Sequence, residues 1–165
     1  MKKTTDGKIE EMLNSLLQAT FQMNSHADSC AYWLAHNGFV NTQEIFHKKY
    51  AHKFPEWADL ISDLMIKLSV QPIRKGLEDN DYEYSDYVEL FEDVEAELEH
   101  YKEIIYRTID TMETFKNREF VSFLDDYLLE LATYTNQTSV WVTKANQNVN
   151  DPLSFDKHFE SFTFI

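Results

Sequence analysis

Residues 24–73 decide the fold, and they read NSHADSCAYWLAHNGFVNTQEIFHKKYAHKFPEWADLISDLMIKLSVQPI. The stretch holds the end of one long amphipathic segment, a Gly38–Phe39 corner and a second long segment that stops at Pro72. Apolar residues recur every three or four positions on both sides of the corner, which is the period of one helix face. Gly38 accepts the left-handed backbone that ends a helix, so the pattern predicts a helical hairpin.

The two helices of this hairpin are both long. We expect the first to run from about Asp6 to Asn37, with Asp6 as its N-cap. The second is expected to follow the corner and to reach about Val70. Because Pro55 interrupts the second apolar stripe, it either kinks one helix or separates two.

Two further helical stripes follow a long loop. The third helix is expected from about Asp86 to Lys116, and the fourth begins at the N-cap Asn117 and reaches about Ala145. Residues 71–85 contain Gly and Pro and carry no helical stripe, and a loop of that length is uncommon. In a four-helix bundle such a loop carries the chain from one end to the other. Residues 1–147 are therefore predicted to form an all-α four-helix bundle, with two antiparallel hairpins joined by one long crossover.

Residues 148–165 form a separate C-terminal tail, set apart by the Asn-Asp-Pro sequence at 150–152. Its large apolar residues are Leu153, Phe155, Phe159, Phe162, Phe164 and Ile165. A segment this apolar is not expected to stay in water. We expect the tail to pack on the bundle or on a neighbouring subunit.

Composition indicates a single intracellular domain. A chain of 165 residues is long enough to bury one hydrophobic core. With only three Gly and three Pro, it has few of the residues that form the many turns of an all-β protein. The N-terminus lacks the apolar run of a signal peptide, and no run of about 18 apolar residues would span a membrane. With a single cysteine, Cys30, the chain is expected to be cytoplasmic. Cys30 has no evident His–Asp context in the neighbouring sequence, so a structural thiol is the default.

The net charge is −14, from 29 acidic and 15 basic residues. Affinity for nucleic acid comes mainly from Lys and Arg on phosphates, so DNA binding is not expected. An acidic balance is instead compatible with attracting cations.

The helical corner also carries a family resemblance. The segment WLAHNGF at residues 33–39, followed by Phe46, Leu64 and Pro72, resembles the corner and second helix of non-haem ferritins. The spacing from Pro72 to the segment ELF at residues 89–91 resembles their long crossover. The chain thus resembles the ferritin-like superfamily, which includes the Dps (DNA-protection-during-starvation) proteins, over about residues 10–146. The resemblance implies a ferritin-like bundle and a homo-oligomeric cage. It also implies oxidation of ferrous iron by oxygen or peroxide, with storage of the ferric product that limits oxidative damage.

Carried over by position, the iron ligands that ferritins place inside each bundle fall mostly on residues that bind no iron. The first-helix Glu falls at Thr20, and the Glu-x-x-His pair of the second helix falls at Phe54 and Trp57. The third-helix Glu falls at Val94 or, one residue on, at Glu95. Iron prefers carboxylate oxygen and imidazole nitrogen, which Phe and Trp do not offer. The resemblance therefore implies a degenerate ferroxidase ligand set, replaced by packing.

Dps proteins place their site at a two-fold interface between subunits, and here the resemblance points to Asp59 and Asp63. The two match the acidic pair of that site in spacing and in distance from Pro72. They are one helical turn apart and share a face. His47 is a nearby histidine, although it matches the family position poorly. Either this group binds metal between subunits, or it is a solvated outer face with an exposed histidine.

Three more carboxylates are candidates for a residual site inside the bundle. Glu95 and Glu99 are one turn apart on the third helix, and Glu130 lies on the fourth. Two functions follow from the whole set of candidates. The first is an iron-handling protein that binds and oxidises ferrous iron. The alternative is a metal-free ferritin-like structural or interaction protein that has lost its ferroxidase site and docks to a partner through its apolar tail.

Overall fold

The computed structural model describes residues 7–79 and 83–165, and every regular element within them is helical, as predicted. The elements in chain order are α1 (Gly7–His36), α2 (Val40–Phe46), a π-helical turn (His47–Ala51), α3 (Lys53–Lys67), α4 (Tyr87–Thr114), α5 (Arg118–Gln147), α6 (Pro152–His158) and a 3-10 turn (Phe159–Phe162). Helix α1, the α2–α3 pair, α4 and α5 form the predicted four-helix bundle. None of the described helices is long and apolar enough to cross a lipid bilayer.

The first corner has the predicted chemistry. Gly38 has a φ of +85°, in the left-handed region that favours glycine. The turn is closed by Phe39 N, which donates to Leu34 O at 2.9 Å, and by Asn37 N, which donates to Trp33 O at 3.0 Å. The predicted N-cap Asp6 lies outside the described residues.

The second long helix is divided, but the break lies before Pro55. Residues 47–51 form a π-helical turn, in which His52 N donates to His47 O at 3.1 Å across five residues. Pro55 then lies in the first turn of α3, where a missing N–H leaves no intrahelical bond unmade. Of the two alternatives predicted for Pro55, the separation into two helices is the observed one.

Both α4 and α5 begin with a side-chain cap, of which the one at Asn117 was predicted. Asp86 accepts a hydrogen bond from Glu89 N at 2.9 Å, and Asn117 accepts one from Phe120 N at 3.4 Å. Each cap satisfies one of the N–H groups that a helix start leaves without a partner. The second hairpin therefore begins and turns where the local sequence indicates.

The crossover is held by a stripe of amide side chains on α1. These are spaced four residues apart at Asn14, Gln18 and Gln22. Asn14 donates to Gln71 O at 3.2 Å and accepts from Ile73 N at 2.7 Å. Gln22 repeats this two-bond pattern at Glu78, donating to its carbonyl at 3.4 Å and accepting from its N–H at 3.1 Å. The stripe satisfies backbone groups of an extended segment that has no sheet partner among the described residues.

The C-terminal segment folds back on its own bundle. Phe155 and Phe159 are fully buried, and their rings pack on Phe91 at centroid distances of 5.5 and 5.7 Å. Asp156 accepts hydrogen bonds from Thr42 N and Thr42 Oγ1, both at 2.8 Å, at the start of α2. Its carboxylate thus caps a helix that has no side-chain cap of its own.

Candidate functional site

The centre of the bundle contains a chain of hydroxyl groups where the carried-over iron ligands would lie. Thr20, at the first-helix position, is fully buried and donates to Leu16 O at 2.8 Å. Thr20 Oγ1 also lies 2.6 Å from Tyr101 Oη, which lies 2.8 Å from Tyr127 Oη. Because the single proton of Thr20 goes to Leu16, Tyr101 donates to Thr20 and accepts from Tyr127. The order of protons along this chain is therefore fixed.

Aromatic rings fill the space around this hydroxyl chain. Phe54 and Trp57, at the second-helix ligand positions, are buried with ring centroids 5.2 Å apart. Trp57 also contacts the ring of Tyr127 at 5.2 Å and that of Tyr134 at 4.9 Å. Burial raises the pKa of Tyr101 to about 12, so this phenol is neutral at pH 7 and supplies no negative charge for a cation.

The acidic pair on α3 lies on the outside of the bundle. Asp59 and Asp63 are both exposed, one helical turn apart. Two large apolar side chains flank them on the same helix, with Leu60 52% and Ile66 62% exposed. The pair therefore belongs to an outer face of mixed acidic and apolar character.

His47 lies in the π-helical turn and is paired with α1. Its Nε2 is 3.2 Å from Asp28 Oδ1, and its ring centroid lies 4.4 Å from that of His52. Within residues 7–79 and 83–165, no three His, Cys, Asp or Glu side chains are grouped so as to hold a metal ion. One protomer thus does not assemble His47, Asp59 and Asp63 into a metal site.

The three other candidate carboxylates are also dispersed. Glu95 is half-buried on α4, while Glu99 is exposed and lies 3.5 Å from Lys102 Nζ. Glu130 on α5 is exposed and lies 3.6 Å from Lys53 Nζ. Lysines already neighbour two of these carboxylates, so they do not form a cation site at the bundle centre.

This arrangement of helices recurs in solved structures. A ferritin with an open pore from the hyperthermophilic archaeon Archaeoglobus fulgidus matches with a TM-score of 0.90 at 15% identity, over 98% of this chain and 99% of its own. The chain has the ferritin-like fold. A variant of the ferritin PmFTN, from a crystal soaked in iron, matches with a TM-score of 0.87 at 11% identity, over 92% of this chain and 98% of its own. No protein-family model matches the sequence, and no curated protein matches it.

The ferritin-like fold also brings together a buried polar cluster that sequence reasoning missed. His26 Nε2 on α1 donates to Asp93 Oδ2 on α4 at 2.8 Å, and Tyr84 Oη donates to the same oxygen at 2.6 Å. Cys30 Sγ lies 3.7 Å from His26 Nε2. The fold therefore places a His–Asp pair beside Cys30, which the prediction of a structural thiol did not include. The available signal was His26, which lies one helical turn before Cys30.

The cluster holds an ion pair between His26, which is 2% exposed, and Asp93, which is 30% exposed. Burial alone would lower the pKa of His26, but the hydrogen bond to Asp93, aided by Cys30, outweighs it and raises the pKa to about 10. Burial would raise the pKa of Asp93, but the bonds from His26 and Tyr84 hold it below its ordinary value. In a catalytic triad the nucleophile bonds to one nitrogen of the histidine ring and the acid bonds to the other. Here Cys30 and Asp93 both face Nε2 of His26, so the cluster does not have the geometry of a catalytic triad.

A cleft of about 250 Å³ opens between α1, α4 and the crossover of this ferritin-like bundle. Glu78, Glu97 and His100 line it, together with Tyr101 of the hydroxyl chain. Glu97 and His100 have the Glu-x-x-His spacing of metal-binding bundles. In the sequence this motif was compared only with the second-helix positions Phe54 and Trp57, so this pair was not singled out. His100 is exposed, so this pair lies at the side of the bundle rather than in its centre.

Proposed function

We propose that this protein handles ferrous iron as a substrate bound on the outer carboxylates of a homo-oligomer, with Asp59 and Asp63 as the principal ligands. The observation that supports an outer site for iron is the packing of the bundle centre. Thr20, Phe54 and Trp57 are buried there in a core of hydrogen-bonded hydroxyls and aromatic rings. Iron bound by this chain is therefore expected at surface carboxylates, which are the oxygen ligands that iron accepts.

The composition of the α3 face supports a site between copies. Leu60 and Ile66 are exposed beside the acidic pair, and large exposed apolar side chains grouped together often mark a subunit contact. In a two-fold contact each copy offers the same surface. Two such faces would bring two Asp59–Asp63 pairs together. Four carboxylates would then surround one metal position, of which a single protomer supplies two.

The proposal includes the fate of the iron. Ferrous iron bound by the carboxylates is oxidised by oxygen or peroxide, and the ferric product is retained by the assembly. The fold is shared with a ferritin whose crystals were soaked in iron. The net charge of −14 supports accumulation of cations over the surface.

A second candidate is a metal-free ferritin-like interaction protein, and the bundle centre also favours it. A centre built from neutral hydroxyls and aromatic rings needs no cation to offset buried carboxylates. In this case the ferritin-like architecture would serve assembly or docking alone.

Anaerobic titration with ferrous iron, followed by oxygen or peroxide, separates the two candidates. The wild-type protein is expected to bind iron saturably and to develop ferric absorbance, and Asp59→Asn with Asp63→Asn is expected to abolish saturable binding. The matched control is Asp125→Asn with Asp126→Asn, which removes the same charge from exposed positions of α5 and should bind as the wild type does. If both double variants bind iron equally, Asp59 and Asp63 are not the ligands. If the wild-type protein binds no iron, the result favours the metal-free candidate.

The contact between copies has its own test. Leu60→Glu is expected to reduce the assembly size measured by light scattering, because it places a charge in the proposed interface. Leu129→Glu is the control, since it places the same charge at a leucine that is 74% exposed on a different helix, α5. If Leu60→Glu assembles normally while Leu129→Glu does not, the interface lies on another face.

A further inference from the structure

Residues 83–86, at the end of the crossover, reach the inside of the bundle through one side chain, while Ser85 and Asp86 bond to Glu89 at the start of α4. Tyr84 is half-buried, whereas Glu83, Ser85 and Asp86 are exposed. The Tyr84 hydroxyl donates to Asp93 Oδ2 at 2.6 Å. Its ring meets that of Trp33 edge-on at a centroid distance of 6.0 Å. Tyr84 is therefore the anchor of an otherwise solvated segment.

Tyr84 also covers the buried polar cluster. Its hydroxyl lies 3.4 Å from His26 Nε2 and 3.5 Å from Cys30 Sγ. Cys30 is fully buried and His26 is 2% exposed. Since both residues belong to α1 and Asp93 belongs to α4, the cluster keeps its other contacts when Tyr84 moves.

We propose that Tyr84 is a latch: residues 83 and 84 open as a local unit, and Tyr84 leaves the His26–Asp93–Cys30 cluster while the helices and the cap of α4 stay in place. The His26–Asp93 pair, at 2.8 Å, joins two helices of the bundle and persists in the open form. Opening breaks the contacts of Tyr84 with this cluster and with the ring of Trp33, which are far fewer than the core contacts that unfolding breaks. Segments with few buried contacts open at lower free energy than the whole domain.

The latch controls access to the single thiol of the chain. Cys30 is the only cysteine, so a thiol reagent reports on one position. In the closed form the reagent has no route past Tyr84, and in the open form the thiol faces solvent beside an imidazolium. The accessibility of Cys30 therefore measures the position of Tyr84.

The test is the rate at which 5,5′-dithiobis(2-nitrobenzoate) labels the full-length protein at fixed pH. The Cys30 thiolate forms a mixed disulfide and releases one equivalent of nitrothiobenzoate, which is read by its absorbance. Wild-type protein is expected to label slowly, with a rate almost independent of urea below the unfolding transition, because local opening exposes little surface. Tyr84→Phe is expected to label about 10- to 100-fold faster, because a hydrogen bond to a charged group is lost. Tyr106→Phe, at an exposed tyrosine of α4, should label as the wild type does.

Two results would overturn the latch. One is a Tyr84→Phe labelling rate within twofold of the wild-type rate. The other, measured on the wild type alone and therefore independent of any variant's folding, is a labelling rate that rises with urea as steeply as global unfolding. Neither result depends on iron, so the latch and the proposed function fail separately.

Discussion

Replacing Asp93 with Asn isolates the energetic role of the buried ion pair. Asp93 lies 2.8 Å from His26 Nε2, and His26 is 2% exposed. Removing one partner of a buried pair leaves the other charge without compensation and costs about 3–5 kcal/mol. The shift in the His26 pKa from 6.5 to about 10 gives a similar figure, about 5 kcal/mol at about 1.4 kcal/mol per pH unit. Both routes predict that Asp93→Asn lowers the free energy of unfolding by about 3–5 kcal/mol near pH 6.

The pH dependence of this loss has a definite sign. The pKa of His26 is higher in the folded state, so its contribution is complete below pH 6.5 and is lost as pH rises towards about 10. The pKa of Asp93 is lower in the folded state, so its contribution is lost as pH falls below the ordinary value of 3.8. Asp93 and Tyr84 face His26 from neighbouring elements, and Cys30 faces it from the same helix. The difference between wild type and variant should therefore be largest between about pH 4 and pH 6.5 and should shrink by pH 10.

Urea unfolding followed by circular dichroism at several pH values between 4 and 10 measures this difference. Glu92→Gln is the matched control, because Glu92 is an exposed acid on the same helix, and a change there is expected to stay within about 0.5 kcal/mol. A loss below about 1 kcal/mol for Asp93→Asn, or a difference that does not shrink above pH 6.5, would refute a charged imidazole at His26.

Two further substitutions test other parts of the fold by the same unfolding assay. Asp156→Ala removes the carboxylate that caps α2 and leaves the buried Thr42 hydroxyl without its acceptor. We expect this change to lower the free energy of unfolding by about 2–3 kcal/mol. The control is Glu160→Ala, at an exposed residue of the tail, which should leave the free energy of unfolding unchanged. Tyr101→Phe breaks the hydroxyl chain and leaves Tyr127 Oη without its acceptor, so we expect the free energy of unfolding to fall by about 1–3 kcal/mol. If the change is no larger than that of Tyr106→Phe, the hydroxyl chain contributes no stability.

The parts of the fold that the sequence predicts are those fixed by local chemistry. The left-handed Gly38 and the caps Asp86 and Asn117 act within four residues of the groups they satisfy, so each can be identified from its neighbours. The π-helical turn at 47–51 has no comparable local signal. The amide stripe of α1 was visible in the sequence only as polar residues at a spacing of four, which also describes an ordinary solvated face.

The buried ion pair shows why the site is harder to predict than the fold. His26 and Asp93 are 67 residues apart, and their contact depends on how the crossover sets α4 against α1. A spacing rule cannot join them, because they lie on different helices and each stands among other polar residues of its own helix. The same limit applies to Asp59 and Asp63, whose proposed partners belong to another copy of the chain.

Thr20, Phe54 and Trp57 occupy the positions in the bundle centre to which the resemblance carries the ferritin ligands. Carboxylates in a low-dielectric core repel one another unless a cation offsets them, whereas these three neutral side chains carry no such cost. Phe54 and Trp57 each bury about 150–250 Å² of aromatic surface, which favours folding by about 4–6 kcal/mol per residue. Tyr101 joins two other polar groups by bonding to both Thr20 and Tyr127, whereas the buried Trp57 Nε1 has no hydrogen-bond partner among the described residues. Helix packing at the bundle centre therefore rests on aromatic burial and on hydrogen bonds between neutral hydroxyls.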